Sequence, residues 1–211
     1  KTKSIFKNTA IDIERDVMFC EGCNLFFVFP LPTTDELDSL YKKEWSWEYG
    51  LDEKSSIIRK IFHFIHKVHQ KFIASARANY LYKLAPNQMT SILEVGSGNG
   101  AFLREITKYY KFVRGIEPSL DEEYISEKIQ VKRETIDDSL VIDDQYDVIC
   151  MYMVLEHLAN PIKTLNTLKN GLKKGGHRII EVPYSPYKEY EFLDEFELCK
   201  VFENVHLFYL S

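Results

Sequence analysis

The chain has 211 residues, of which 45% are hydrophobic, and a net charge of −5. This length is typical of one α/β domain, alone or with an appendage, and the hydrophobic content is sufficient for a packed core. The acidic balance and the lack of a basic run argue against a nucleic-acid partner, because phosphate binding needs a basic surface. The composition therefore favours a small molecule as the partner.

Two features of the sequence bear on its location in the cell. No apolar segment reaches membrane-spanning length, and the basic start KTKSIFKN leads into TAIDIERD, which lacks the apolar region of a signal peptide. We therefore expect a cytoplasmic protein with no membrane partner. The four cysteines (Cys20, Cys23, Cys150 and Cys199) form no disulfide framework for a chain of this size, and we expect them to be reduced. Nothing in the sequence indicates the oligomeric state.

The first zone, residues 1–53, has the character of an N-terminal arm. It contains FCEGCNLFFVFPLP, an aromatic strand-like run that ends at Pro30 and Pro32. Thr33 and Glu36 then have the spacing of a capping box, which predicts the start of a short helix.

The second zone is a predicted helix from about Glu53 to Leu84, which Pro86 follows. Its apolar residues have helical spacing and form one continuous stripe: Ile58, Ile61, Phe62, Ile65, Val68, Phe72 and Ala76. Three histidines of this helix (His63, His66 and His69) recur at every third position, but no carboxylate or cysteine accompanies them at a matching spacing. We therefore predict no metal site there.

From Ser91 onward, short apolar strands alternate with helices. The predicted strands are SILEV, KFVRGIE, QVKRE, YDVICMY and HRIIEVP, and helices are predicted from Ala101, Leu120 and Pro161. This alternation is typical of a doubly wound, mainly parallel sheet flanked by helices, which we assign to residues 54–211.

A glycine loop follows the first of these strands. In LEVGSGNG, the three glycines Gly96, Gly98 and Gly100 allow a ligand to approach the backbone closely. Glu117 ends the next strand, 17 residues after Gly100, where a carboxylate typically accepts hydrogen bonds from ribose hydroxyls. Gly96, Gly98 and Ala101 also satisfy the G-x-G-x-x-A fingerprint of dinucleotide-binding enzymes, so a nicotinamide or flavin enzyme is an alternative. Glu94 favours a different ligand, because its carboxylate would repel a pyrophosphate but suits an ammonium and a sulfonium.

Four segments in this order, LEVGSGNG, GIEPS, YDVICMYMVLEHLANP and LKKGGHRIIEVP, resemble the class I S-adenosylmethionine-dependent methyltransferases over roughly residues 60–210. The resemblance implies a Rossmann-like fold, S-adenosyl-L-methionine as cofactor with S-adenosyl-L-homocysteine as product, and a small-molecule methyl acceptor. It implies that the loop residues Gly96, Ser97, Gly98 and Gly100 line the methionine part of the cofactor beside Glu94. It also implies that Glu117, next to Pro118, holds the ribose and that Met151 lies near the cofactor. Asp137 in TIDDS would lie beside the adenine amine, with neighbouring Asp138 as the other candidate and a solvated acidic loop as the alternative.

His157, in VLEHLANP, follows the fourth strand at the edge that faces the acceptor. It is the candidate general base, and a structural or helix-capping histidine is the equal alternative.

The two ends of the chain are less typical of the family. The arm resembles the N-terminal extension of one subgroup, in which such segments fold over the active site and a further cysteine pair often completes a zinc site. Only Cys20 and Cys23 are present here, so we predict no metal. At the other end, the chain stops at NVHLFYLS, where the family continues through a helix into a terminal hairpin. We expect either a chain truncated at its C-terminus or a sheet that closes differently.

Three functions therefore remain open. The chain is expected to be a methyltransferase of a small molecule, such as a sugar or a cell-surface or natural-product intermediate. The alternatives are an NAD(P)-dependent oxidoreductase and a catalytically silent cofactor-binding scaffold.

Overall fold

The computed structural model describes residues 2–8, 15–33, 35–37, 57–136, 140–184 and 207–209. The chain divides into two compact units. The first comprises Lys1–Gly50, Met153–Ala159 and Glu181–Ser211, and the second comprises Leu51–Tyr152 and Asn160–Ile180. The sequence-based assignment of residues 1–53 to an arm and 54–211 to a cofactor-binding domain stays a prediction.

The first unit contains an antiparallel sheet. Strands β1 (Thr2–Asn8), β2 (Arg15–Cys20) and β3 (Leu25–Phe29) pair in that order, and the short strand Phe208–Tyr209 pairs with β3. Alternate residues of β2 and β3 are buried, as expected for a sheet with one packed face: Val17, Phe19, Phe26 and Val28.

The aromatic strand and the capping box are confirmed. The Thr33 amide donates to the Glu36 carboxylate at 2.7 Å, and the Glu36 amide donates to Thr33 Oγ1 at 3.4 Å.

The second unit begins with the long helix α1 (Ile57–Leu84), which confirms the predicted helix over the described residues. Its packed face differs from the predicted stripe. Ala74, Ala78 and Leu81 are buried, whereas the stripe residues whose side chains the structure describes are exposed: Ile61, Ile65, Val68, Phe72 (73% exposed) and Ala76. The small side chains of the packed face allow close approach to the next helix, where Ser75 Oγ donates to the Glu105 carboxylate at 3.0 Å.

A six-stranded sheet forms the centre of the second unit. Its elements in chain order are β4 (Ile92–Val95), α2 (Ala101–Ile106), β5 (Val113–Ile116), β6 (Tyr124–Ile125), β7 (Ile129–Lys132), β8 (Tyr146–Tyr152), α3 (Pro161–Asn170) and β9 (Leu172–Glu181). The strand order is β6-β7-β5-β4-β8-β9. Strand β4 is parallel to both β5 and β8, and β5 is parallel to β7. Because the chain leaves β4 on one side and returns to β8 on the other, the sheet is doubly wound and Rossmann-like, as predicted.

The helix predicted from Leu120 is wrong. Residues 117–123 form turns and bends, and Tyr124–Ile125 is a short strand antiparallel to β7. A turn holds this hairpin, because the Ser126 amide donates to the Ile129 carbonyl at 2.8 Å and the Ile129 amide donates back to Ser126 Oγ at 3.1 Å. Tyr124 and Ile125 are exposed, so a helix here would have no apolar face to bury.

A polar cluster ties together the starts of the two central strands. The Ser91 amide and hydroxyl each donate to the Asp147 carboxylate at 2.7 Å, and Lys173 Nζ donates to the same carboxylate at 2.9 Å. Burial alone would raise the pKa of Asp147, but the bonds from Ser91 and Lys173 lower it to about 2. The amino-terminal edge of β4 and β8 is thereby fixed, and the opposite, carboxyl-terminal edge is where such sheets bind ligands.

Candidate functional site

The glycine loop lies at the carboxyl end of β4. Gly96, Gly98 and Gly100 all have positive φ angles, of 75°, 51° and 71°, which other L residues adopt at a steric cost. Gly100 is also the N-cap of α2 in the left-handed conformation. The loop thus needs glycine for its backbone conformation at the point where the strand turns into the helix.

Hydrogen bonds from the neighbouring strand β5 fix the first half of this loop. The amides of Gly96 and Ser97 both donate to the Ile116 carbonyl, at 2.8 and 3.1 Å. The Gly98 amide donates to Oε2 of Glu117 at 2.6 Å. The loop and the end of β5 therefore form one hydrogen-bonded structure.

Glu117 is buried, and donors on two sides orient its carboxylate. Oε2 accepts from the Gly98 amide, and Oε1 accepts from the Ser119 amide at 3.0 Å and from the Ser119 hydroxyl at 2.7 Å. The predicted ribose-binding carboxylate therefore lies next to the predicted loop. Ser119 was missed by the sequence analysis, although its position two residues after the carboxylate is typical of a side chain that closes a local turn.

Glu94 lies on β4 two residues before the loop, in register with Gly115 of β5 and Cys150 of β8. Its residue is only 3% exposed, and its Oε2 has no hydrogen-bond partner among the described residues. Burial raises the pKa of the Glu94 carboxyl well above its usual range, while the positive charge of Arg77 opposes this rise and the Glu117 carboxylate adds to it. A buried acceptor of this kind is stabilised by a cationic donor.

Tight packing holds the second residue of the loop. A Cβ atom built onto Gly115 would lie 3.0 Å from Ser97 Oγ and 2.8 Å from Leu103 Cδ1. Gly115 in the middle of β5 therefore makes room for both Ser97 of the loop and Leu103 of α2. Gly115 was not predicted as a site residue, although a glycine within a strand is a signal of such close approach.

The remaining predicted cofactor residues fall into three classes. Met151 is fully buried and pairs with Val95, so it lies beside the end of β4. Pro118 is exposed directly after Glu117. Asp137 and its alternative Asp138 lie outside the described residues. The structure thus brings Glu94, the glycine loop, Glu117 and Met151 together at the carboxyl edge of the sheet.

Two side chains that were not predicted from the sequence, Arg77 and Tyr152, interact electrostatically with Glu94. Arg77 of α1 places its guanidinium carbon 4.4 Å from the ring centre of Tyr152, the last residue of β8. The Phe102 ring packs edge-on against the same tyrosine, with ring centres 4.9 Å apart. Arg77 follows Ala74 by three residues and precedes Leu81 by four, so it lies on the packed face of α1, which the sequence alone did not identify.

His157 belongs to the first unit. It is the last residue of the 3₁₀-helix Leu155–His157, which follows β8 along the chain. Its side chain is largely buried, and Nε2 lies 3.8 Å from Oε1 of the fully buried Glu156. Its role as a base stays a prediction.

Cys20, which is half-buried, ends β2, and the exposed Cys23 lies in the turn between β2 and β3. Hydrogen bonds from the Gly22 backbone and from Cys23 lower the pKa of the Cys20 thiol. Within the described ranges, no group of three or more potential ligands is arranged to hold a metal ion.

Among the helices that the structure describes, none combines the length and apolar character needed to cross a membrane.

Comparison with known families gives a match over most of the chain. The model of a family described as "Methyltransferase domain" matches residues 57–210. No curated protein matches the chain.

Solved structures with a similar fold are distant in sequence. The DhpI complex with SAM and HEP has a TM-score of 0.50 and 14% identity, over 76% of this chain and 72% of that chain. The plantazolicin methyltransferase BpumL, in complex with a monoazolic desmethylPZN analog and SAH, has a TM-score of 0.49 and 22% identity, over 77% and 66%. The sugar N-methyltransferase KedS8 from Streptoalloteichus sp ATCC 53650 has a TM-score of 0.47 and 16% identity, over 68% and 59%. The chain spans less than two thirds of the length of BpumL and of KedS8, and identities this low show the fold alone.

Proposed function

Because the chain belongs to the methyltransferase-domain family whose model it matches, we propose that it is an S-adenosylmethionine-dependent methyltransferase that acts on a small molecule. One observation carries the proposal: the buried Glu94 carboxylate lies next to a loop of three left-handed glycines and a second oriented carboxylate. This combination suits a ligand with a cationic end and a ribose.

The residues present fit such a cofactor. The Glu94 Oε2 atom has no hydrogen-bond partner in the part of the chain that the structure describes, and it would accept from the ammonium of the methionine end. Gly96, Ser97, Gly98 and Gly100 would line that end. When bound, the cofactor supplies a methyl group on a positively charged sulfur.

Glu117 would hold the ribose. Its carboxylate already has a fixed orientation from three donors, and Oε2, which accepts only from the Gly98 amide, retains acceptor capacity for a hydroxyl. Pro118 and Met151 would contact the cofactor from either side of this edge, and Asp137 would accept from the adenine amine.

The chain's contribution to the chemistry would be mainly positioning. Holding the acceptor atom, the methyl group and the sulfur in line contributes up to about 7–11 kcal/mol in favourable cases. We assign His157 the role of general base toward an oxygen or nitrogen acceptor, which typically contributes about 10²- to 10⁴-fold in rate. The position of His157 supports this role, because its 3₁₀-helix follows β8 along the chain and such sheets bind ligands at the carboxyl ends of their strands.

The acceptor is proposed as a small molecule because the net charge of −5 is unfavourable for nucleic-acid binding. The narrower classes, a sugar or a cell-surface or natural-product intermediate, rest on the family resemblance of the arm. We extend that resemblance to the proposal that residues 1–53 contribute to the acceptor site.

Calorimetry with three ligands tests the proposal. S-adenosylhomocysteine is expected to bind with a stoichiometry of one per chain, and NAD⁺ and NADP⁺ are expected to give no binding heat, because the Glu94 carboxylate disfavours a pyrophosphate. Binding of NAD⁺ without S-adenosylhomocysteine would replace the methyltransferase with an oxidoreductase. Cofactor binding without methyl transfer to any acceptor in a panel of sugars and natural-product intermediates would favour a silent scaffold.

A further inference from the structure

The first part of α1 presents apolar side chains to solvent. Of the side chains that the structure describes between residues 60 and 69, only that of His63 is partly buried. Hydrogen bonds from α1 to the glycine loop and to α2 occur further along the helix, where Asn99 Nδ2 donates to Gln70 Oε1 at 2.7 Å and Ser75 Oγ donates to Glu105 at 3.0 Å. Five large apolar residues are exposed between residues 60 and 72: Ile61, Phe64, Ile65, Val68 and Phe72.

These five residues, which we call the α1 strip, lie on one side of the helix. At 3.6 residues per turn they fall within an arc about 100° wide, so they face the same way. Phe64 is 68% exposed and Phe72 is 73% exposed, which leaves most of both rings available for contact. Three exposed lysines lie together along one flank of the α1 strip: Lys60, Lys67 and Lys71. A contiguous exposed apolar surface bordered by polar residues is typical of an interaction site.

The charge of α1 is opposite to that of the whole chain. The helix has six lysine and arginine residues and no aspartate or glutamate, whereas the chain has a net charge of −5. The rest of the chain is therefore strongly acidic. An anionic surface would attract α1 and repel the remainder, so the α1 strip would face that surface. A symmetric contact with a second copy through the same strip is disfavoured, because it would bring like charges together.

A helix with this arrangement is suited to the surface of a lipid bilayer. Apolar side chains on one side of such a helix enter the boundary between headgroups and acyl chains, and flanking basic residues contact anionic headgroups. The aliphatic part of a lysine lies along apolar surface while its ammonium stays in water. The expectation of no membrane partner was based on spanning segments and signal peptides, and a helix that lies in the plane of the surface needs neither.

We propose that residues 60–72 of α1 bind peripherally to anionic membranes. Phe64 and Phe72 enter the lipid, and Lys60, Lys67 and Lys71 contact the headgroups. This inference goes beyond the proposed function and does not depend on it, because the contact requires neither a cofactor nor a methyl acceptor. It assigns the first part of α1 a role separate from that of the cofactor site.

Sedimentation with vesicles tests the inference on the full chain. One set of vesicles contains phosphatidylcholine alone, and the other contains an equimolar mixture of phosphatidylcholine and phosphatidylglycerol. Each basic residue near an anionic surface contributes about fivefold in affinity, so the three lysines predict about 100-fold tighter binding to the anionic vesicles at low salt. Salt at about 1 M, where the Debye length is about 3 Å, should remove most of this preference.

Replacement of the two phenylalanines measures the apolar contribution. Phe64→Gln/Phe72→Gln is expected to weaken binding to anionic vesicles by at least about 10-fold, because the burial of one phenylalanine alone contributes about this much. The matched control is Ile125→Gln, which removes a side chain that is also 68% exposed but lies on β6. It is expected to bind within about 2-fold of wild type, since single exposed apolar residues are common on protein surfaces. Circular dichroism checks that each variant is folded.

Replacement of two lysines measures the contribution of charge. Lys60→Gln/Lys67→Gln is expected to weaken binding to anionic vesicles by about 25-fold and to change binding to neutral vesicles little. The control variant Lys111→Gln/Lys174→Gln causes the same change in net charge but removes exposed lysines that lie outside α1. It is expected to bind anionic vesicles within about 3-fold of wild type, because charges more than a Debye length from the surface are screened.

The outcomes distinguish this inference from the alternatives. Failure of wild-type protein to bind anionic vesicles overturns it, and so does equal binding to the two kinds of vesicle or an equal loss in the control variants. A dimer that fails to bind vesicles and becomes monomeric in Phe64→Gln/Phe72→Gln would assign the α1 strip to a contact between two copies. Calorimetry with S-adenosylhomocysteine is independent: vesicle binding without cofactor binding refutes only the proposed function, and the converse result refutes only this inference.

Discussion

Replacement of Glu117 by alanine tests the ribose half of the site. In the free protein its carboxylate accepts from the Gly98 amide at 2.6 Å and from Ser119 at 2.7 and 3.0 Å. In the complex the same carboxylate would also accept from the ribose. Hydrogen bonds to a charged group contribute about 1.5–3 kcal/mol, so we expect S-adenosylhomocysteine to bind about 10- to 150-fold more weakly to Glu117→Ala.

A second effect is expected in the absence of ligand. Removal of the carboxylate leaves the half-buried Gly98 amide without its acceptor, and we expect a loss of about 1 kcal/mol of unfolding free energy, the lower end of the cost for an unsatisfied donor. Calorimetry gives the affinity and urea unfolding gives the stability. Glu123→Ala, which removes an exposed acid six residues further along, is the control for the change in net charge. Unchanged affinity in Glu117→Ala, or an equal loss in Glu123→Ala, would refute the assignment of Glu117 to the ribose.

Three further predictions concern the loop, the opposite edge of the sheet and the proposed base. Gly98→Val is expected to abolish S-adenosylhomocysteine binding in calorimetry while circular dichroism still shows a folded protein, because a β-branched residue is strained at a φ of 51°; wild-type affinity would contradict this. Asp147→Asn is expected to lower the unfolding free energy by about 1 kcal/mol at pH 7. The shift of the Asp147 pKa to about 2 corresponds to roughly 2.5 kcal/mol, and we reduce this value because the side chain is 37% exposed to solvent. Because the folded-state pKa is depressed, this stabilisation is present above about pH 4 and is lost as the pH falls toward 2, so the difference from wild type in urea unfolding should shrink over that range, and a constant difference would refute it. His157→Asn is expected to lower kcat by about 10²- to 10⁴-fold with little change in S-adenosylhomocysteine affinity, and full activity would end the proposal of a general base.

The sequence predicts the centre of the second unit well, because local signals there agree with the tertiary structure. Buried strands such as Ile92–Val95 and Tyr146–Tyr152 are mainly apolar runs, and the glycines of the loop have positive φ angles that few other residues adopt. Pro161 also marks the start of α3, because it occupies the first turn after the capping residue Asn160, where proline is favoured. At these positions the residue type that suits the local backbone conformation also suits the packing of the whole unit.

Sequence-based prediction fails where the local structure depends on contacts with residues far away in the sequence. The acidic stretch after Leu120 has helical composition, but its pairing with β7 places Tyr124 opposite Val131 in a hairpin. The strands β1 and β2 went unpredicted because their pairing depends on a turn and a partner strand. On α1 the described side chains of the most regular apolar stripe are exposed, and the packed face is marked by alanines, whose small size matters only next to a partner helix. Arg77 was missed for the same reason, since its significance depends on a tyrosine 75 residues away.

The hydrogen bonds of the glycine loop have a consequence for its motion. A glycine-rich loop is often assumed to be flexible, yet the amides of Gly96, Ser97, Gly98, Gly100 and Ala101 all have acceptors within the loop or on its neighbours. These amides should therefore exchange slowly with deuterium in the free protein, and ligand binding should slow them only modestly. A loop that is ordered before the ligand arrives loses little conformational entropy on binding. The association rate should then be limited by diffusion into the crevice, with no slow step of loop closure.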